Sequence, residues 1–148
     1  MDQSKKILYM MSRAMNRLKY YSISRFNEGG VTVTPSQMGI LFLLKNVESL
    51  PMSALSAALS VDNSTLTRHA DKLIKRDFVE RVNDNSDRRI LKLKITGKGL
   101  QESVKAADIA HQINSEVLSG FTNDEISVFI KVLTEITNKF ETSKEEKK

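Results

Sequence analysis

The stretch that decides the fold runs Val61-Asp62-Asn63-Ser64-Thr65-Leu66-Thr67-Arg68-His69-Ala70-Asp71-Lys72-Leu73-Ile74, followed by the turn Asn83-Asp84-Asn85-Ser86-Asp87-Arg88-Arg89. Asp62 is placed to cap a helix, because a carboxylate there accepts from the free N–H groups of the first turn. Val61 and Leu66 can close a hydrophobic staple across that cap. Leu66, Ala70, Leu73 and Ile74 recur at helical spacing and form the inward face. Asn63, Ser64, Thr65, Thr67, Arg68, Asp71 and Lys72 remain on or near the outer one, a run rich in hydroxyls and amides. On the N-terminal side, Pro51 starts a very short helix carrying Leu55, Ala58 and Leu59, whose alanines allow a second helix to approach closely. On the C-terminal side, Phe78 to Val82 and Ile90 to Ile95 read as two strands, the second alternating apolar and basic. The polar turn ending in Arg88 and Arg89 joins them.

Four more helical segments complete the chain. Ile7, Leu8, Met11, Met15 and Leu18 set one apolar stripe on a helix from about residue 4 to about residue 26, ended by Glu28-Gly29-Gly30. Thr34-Pro35-Ser36-Gln37 supplies a cap, a proline at the first helical position and a glutamine at the third, and starts a helix reaching about Val47. Thr96-Gly97-Lys98-Gly99 opens a long helix with Leu100, Val104, Ala107, Ile109, Ala110, Ile113, Val117 and Leu118 as its apolar side. Thr122-Asn123-Asp124-Glu125 is a capping box, and Ile126, Phe129, Ile130, Leu133, Ile136 and Phe140 carry the last stripe. Residues 143–148 form a charged tail expected to fray.

The composition narrows the function classes. The 148 residues contain no cysteine, which excludes disulfides, thiolate metal sites and cysteine-based redox sensing. His69 and His111 have no carboxylates at ligand spacing, so no metal site and no cofactor are expected. No stretch approaches the roughly 18 apolar residues of a membrane span, and the first residues do not form a signal-peptide core, so a cytoplasmic location is expected. The chain carries a net charge of +5. Residues 60–100 hold ten cations against six anions, and the first thirty hold six against two. Clustering of this kind around a hairpin favours contact with a polyanion, although single lysines on helix faces serve ordinary solvation equally well. No nucleophile with its base, no paired carboxylates and no phosphate loop are present, and Gly97-x-Gly99 is only two glycines, so no catalytic residue is assigned.

The order helix, helix, short helix, polar helix, basic hairpin, long helix, final helix resembles the MarR family of winged helix-turn-helix transcriptional regulators. The resemblance is carried by Asp71-Lys72-Leu73-Ile74-Lys75-Arg76-Asp77-Phe78-Val79, by the turn Asp84-Asn85-Ser86-Asp87-Arg88-Arg89 and by Leu93-Lys94-Ile95-Thr96-Gly97-Lys98-Gly99. In that family the turn usually reads Asp-Pro-x-Asp-x-Arg, and a glycine usually follows the recognition helix. Here Asn85 stands for the proline and Asp77 for the glycine, and Asp and Asn tolerate the left-handed conformation.

The resemblance implies a mainly α fold with a small β-hairpin wing. It makes residues 1–148 a single unit, with residues 33–99 as the DNA-binding region and residues 4–30 and 100–142 as dimerisation helices. It further implies a homodimer acting as a repressor on a pseudo-palindromic operator in double-stranded DNA. The long apolar stripes of the first and last helices agree with association, though packing on each other within one chain remains open. Asn63, Ser64, Thr65, Thr67, Arg68 and Lys72 would face the major groove, with Arg68 suited to a guanine edge or a phosphate. Arg89 matches the family's wing-tip arginine of the minor groove, Asp87 would orient it, and Arg88 and Lys92 would add charge along the backbone. Ser36 and Gln37 would lie near phosphates, although capping explains them too, and Asp71 with Arg76 reads as local solvation. The family also responds to small anionic or aromatic ligands, for which Tyr9, Met11, Met15, Tyr20, Tyr21 and His111 are candidates; plain core or interface is the competing reading. The alternative function is a winged helix that grips another protein and ignores DNA.

Overall fold

The computed structural model describes residues 6–84, 86, 87 and 89–141, so the expected tail at 143–148 and the side chains of Asn85 and Arg88 lie outside the described residues. The chain falls into two compact units, Met1–His111 and Gln112–Lys148. In chain order the elements are α1 (Ile7–Glu28), α2 (Pro35–Leu44), β1 (Leu50–Pro51), α3 (Met52–Ala58), α4 (Asn63–Ile74), β2 (Val79–Asn83), β3 (Leu91–Ile95), α5 (Gly97–Leu118) and α6 (Asn123–Glu141).

Local chemistry sets most of the boundaries in the first unit. Gly29 N–H donates to the Arg25 carbonyl (3.0 Å) and Val31 N–H to that of Phe26 (2.8 Å), while Gly30 takes the left-handed φ of 69° that closes α1. The capping box of α2 is complete. Thr34 N–H donates to Gln37 Oε1 (3.0 Å) and Gln37 N–H to Thr34 Oγ1 (3.3 Å). This helix stops at Leu44, short of the expected Val47. The chain needs the following residues to reach a strand absent from the expectation: β1 pairs antiparallel with β3, with Leu50 opposite Leu93 and Pro51 opposite Lys92. The sheet order is β1-β3-β2, so Pro51 sits on an edge strand, where a missing N–H is tolerated. After α4 the chain turns through Asp77 at φ 58°, a left-handed conformation that Asp tolerates better than most side chains.

The core of this unit is aliphatic. Ile40, Leu41 and Leu44 of α2, Leu55 of α3, Leu66 and Leu73 of α4 and Leu93 of β3 are wholly buried. Three helices and the sheet therefore share one apolar centre, which fixes α4 against α3 and leaves its opposite face in solvent.

One expectation about the long helices needs correction. Of the apolar side expected for α5, Ile113 is buried and Ala107, Ile109, Ala110 and Leu118 are half-buried, but Leu100, Val104 and Val117 are exposed, whereas Glu102, Ser103 and Ala106 are buried. The reason is a close approach: a Cβ on Gly99 would lie 1.9 Å from the Phe78 carbonyl oxygen, so this helix meets the sheet through its smallest side chains. Glu102 tolerates burial because its Oε1 accepts from Thr32 N–H (2.5 Å) and Thr32 Oγ1 (2.9 Å). Along α1, Ile7, Leu8, Met15 and Leu18 of the expected stripe are exposed, and Phe26 is the buried residue.

In the second unit, Thr122 and Glu125 form the expected box. Thr122 N–H donates to Glu125 Oε2 (2.8 Å) and Glu125 N–H to Thr122 Oγ1 (3.3 Å). Those bonds to Thr122 hold the Glu125 carboxyl below its usual range. Phe129, Ile130, Leu133 and Phe140 of α6 are exposed.

Candidate nucleic-acid interface

Asp62 organises the exposed start of α4. Its carboxylate accepts from Thr65 N–H (2.7 Å), Ser64 Oγ (2.5 Å) and Thr65 Oγ1 (2.7 Å). These bonds, that from Ser64 foremost, hold its carboxyl well below the ordinary range, so Asp62 stays charged at any physiological pH. Thr67 Oγ1 donates to the Asn63 carbonyl (2.8 Å), and Arg68 Nη2 donates to Thr65 Oγ1 (3.2 Å). Ser64, Thr65 and Thr67 thus have their hydroxyl protons committed within the helix and offer acceptor lone pairs outward. Asn63, Ser64, Thr67, Arg68 and Lys72 are exposed together, with Thr65 half-buried behind them.

The wing is built around two aspartates. Asp84 accepts from Ser86 N–H (2.8 Å) and Asp87 N–H (3.1 Å), and it pairs with the Lys92 ammonium. Lys92 first, and then Ser86, hold the Asp84 carboxyl far below its usual value. Only 14% of the Asp84 side chain and 26% of that of Lys92 reach solvent, so this pair is an internal brace of the turn. Asp87 then grips Arg89 as a fork: Nε donates to Oδ1 (3.1 Å) and Nη2 to Oδ2 (3.1 Å), with Arg89 N–H on the same carboxylate (2.9 Å). The pairing lowers the Asp87 carboxyl and raises the Arg89 guanidinium from their ordinary values. Arg89 remains 91% exposed, a fixed cation projecting from the end of the hairpin.

Asn63, Ser64, Thr65, Thr67, Arg68 and Lys72 lie along the start and outer side of α4, and Asp87 with Arg89 lies at the tip of the wing, in the relation expected. Arg88 lies outside the described residues. Gln37 and Lys92 need correction: Gln37 is 4% exposed and closes the α2 cap, and Lys92 is neutralised by Asp84. Ser36 is exposed on the first turn of α2.

Asp71 and Arg76 are also more than solvated. Asp71 pairs with Arg81, tying α4 to β2, and Arg76 Nη1 donates to the Thr32 carbonyl. No linear spacing announces either contact, because each joins residues brought together by the fold. Of the ligand candidates, Tyr9, Met15, Tyr20, Tyr21 and His111 are exposed and Met11 is half-buried, and none lines the cavities walled by Lys75 and Lys98, by Val117 and Phe121, or by Asp124 and Val132. Tyr21 accepts from Arg25 Nη1 through its hydroxyl (2.9 Å).

Behind this surface His69 has its Nδ1 buried with no hydrogen-bond partner among the described residues. Burial, with Lys72 and Arg68 nearby, pushes its imidazolium below the ordinary 6.5, so the ring is neutral at pH 7.

Comparison with known proteins agrees with this architecture. The model of the MarR family matches residues 33–91. The HTH-type transcriptional repressor MdtR of Bacillus subtilis is 26% identical over 114 residues, covering 77% of this chain and 74% of that protein. Among solved structures, the transcriptional repressor CouR bound to a 23-mer DNA duplex superposes with a TM-score of 0.81 at 22% identity, covering 90% of this chain and 94% of that one. The PcaV transcriptional regulator of Streptomyces coelicolor, in complex with its natural ligand, gives 0.82 at 20% identity, covering 93% and 96%. The fold is common to all of them, and residues 33–91 of this chain are similar to the MarR family.

Proposed function

We propose that this protein is a homodimeric, sequence-specific regulator of transcription, acting as a repressor, that lays α4 in the major groove and the β2–β3 wing in the minor groove of duplex DNA. The observation that carries this reading is the Asp87–Arg89 fork. A guanidinium locked by two bonds to a carboxylate yet 91% exposed is preorganised for a narrow, negative groove, and lone-arginine flexibility would not serve that purpose. Asn63, Ser64, Thr67 and Arg68 supply donors and acceptors for base edges and phosphates, with Ser36 and Lys72 as phosphate contacts.

Dimerisation rests on uncovered apolar surface. Ile7, Leu8, Tyr9 and Met15 of α1, and Phe129, Ile130 and Phe140 of α6, are each more than half exposed, far beyond what a monomer usually leaves in water. A second copy covering them places two α4 helices on one duplex. Release by a small molecule is the regulatory step that the likeness to a ligand-bound regulator suggests. The chemistry is binding, and no catalytic step is assigned.

Selection of bound fragments from random duplex DNA tests the reading. A pseudo-palindrome whose half-site centres lie about 10 bp apart is expected, since two identical heads on one face of DNA meet successive major grooves one helical turn apart. A consensus without two-fold symmetry, or no enrichment at low salt, overturns it.

A further inference from the structure

A cavity of about 700 Å³ opens between the loop after α1, the end of α4 and the first turns of α5, and its lining includes none of the residues assigned to DNA. Its walls hold Lys75, Arg76, Phe78, Lys98, Glu102 and Lys105. Three ammonium groups and a guanidinium thus face one carboxylate. Glu102 is turned to Thr32, from which it accepts two hydrogen bonds, and Arg76 donates to the Thr32 carbonyl, so these three residues brace the back of the cavity. Lys75, Lys98 and Lys105 make no ion pair among the described residues.

An apolar guest fits this cavity poorly. The one aromatic ring in its walls, Phe78, already carries the Lys98 ammonium 5.3 Å from its centroid. What the cavity offers instead is uncompensated positive charge on a concave wall, where like charges repel until an anion enters and where the field is strongest. Lysines bind phosphate groups as point charges from several directions, and the volume falls within the range of small-molecule sites. We propose that this cavity is a binding site for a small phosphate-bearing polyanion, held by Lys75, Lys98 and Lys105 around two or more negative charges. The proposal is independent of DNA binding, because every residue it uses lies outside the surface assigned to DNA. Its position has a consequence. Arg76 follows the last turn of α4, so an anion that draws its guanidinium from Thr32 loosens the strut behind that helix.

Isothermal titration calorimetry of the full chain, free of DNA, with sodium pyrophosphate as the probe, tests the site. One pyrophosphate per chain is expected, bound more tightly than sulfate or citrate at matched ionic strength. Lys75→Glu and Lys105→Glu should each weaken pyrophosphate by about tenfold or more, while Lys131→Glu, an equal change of charge on α6, should stay within about twofold. Lys75→Gln and Lys105→Gln, expected to give smaller losses in the same order, carry the test if a glutamate variant loses its circular dichroism. Unsaturable heats, equal losses in Lys131→Glu, or losses confined to DNA affinity overturn the proposal. Citrate binding as tightly as pyrophosphate overturns the phosphate assignment.

Discussion

Replacing Arg89 by alanine and, separately, Asp87 by asparagine separates the charge of the wing from its geometry. Arg89→Ala removes one cation per chain from a position 91% exposed. If that cation displaces one counterion from the duplex, the slope of log K against log salt falls by about 0.9 per chain, or about 1.8 for a dimer. A lost groove contact of this kind weakens specific binding by about tenfold per half-site, hence about a hundredfold for two. Asp87→Asn keeps the guanidinium but breaks the two-point fork of 3.1 Å bonds that aims it, because an amide nitrogen that only donates replaces one of the two accepting oxygens. It also removes an anion, so non-specific affinity should hold or rise while specific affinity falls. Fluorescence anisotropy on a selected operator and on a scrambled duplex, each across a salt series, reads both quantities. The Asp87 carboxyl lies below its ordinary range, so the fork persists at neutral pH and is lost only as pH falls through that lowered value. Both effects should therefore be constant between about pH 6 and 8. If Asp87→Asn leaves the specific-to-scrambled ratio unchanged, orientation of Arg89 plays no part in recognition. If Arg89→Ala leaves the slope unchanged, the wing does not touch DNA.

Gly99→Ala should destabilise the fold by about 1–3 kcal/mol in urea unfolding, because its Cβ would meet the Phe78 backbone, whereas Gly97→Ala, with nothing within 4 Å, should be neutral or slightly stabilising. If the proposed dimer forms through α6, Phe129→Asp should turn it into a monomer in analytical ultracentrifugation: losing about 2 kcal/mol of burial in each copy raises the dissociation constant by about a thousandfold, and an unchanged mass would remove α6 from the interface. His69 contributes a pH dependence of definite sign. Its folded pKa is depressed, so the unfolded chain takes up the proton first and stability declines as pH falls below 6.5; His69→Leu should flatten that decline in thermal melts.

The parts of this protein legible in the sequence are those settled within a few residues. The caps at Thr34, Asp62 and Thr122, the helix α4 and the left-handed Asp77 all depend on bonds between neighbours three to five positions apart, and each stands where the residue types put it. The fork of Asp87 and Arg89 belongs to the same class, being two residues long. Pairings over longer spans were not legible. The strand β1, the tie from Asp71 to Arg81 and the brace of Arg76, Thr32 and Glu102 join residues up to 70 positions apart, and periodicity carries no record of partners. The buried side of α5 shows the same limit. Hydrophobicity pointed to Leu100 and Val104, but the closeness of the Phe78 carbonyl selected Gly99, Ser103 and Ala106, because there clearance, not transfer from water, decides which face turns inward. Lys92 was counted with the DNA-facing cations on charge alone, and only the folded turn, which brings Asp84 against it, takes that charge away from the surface.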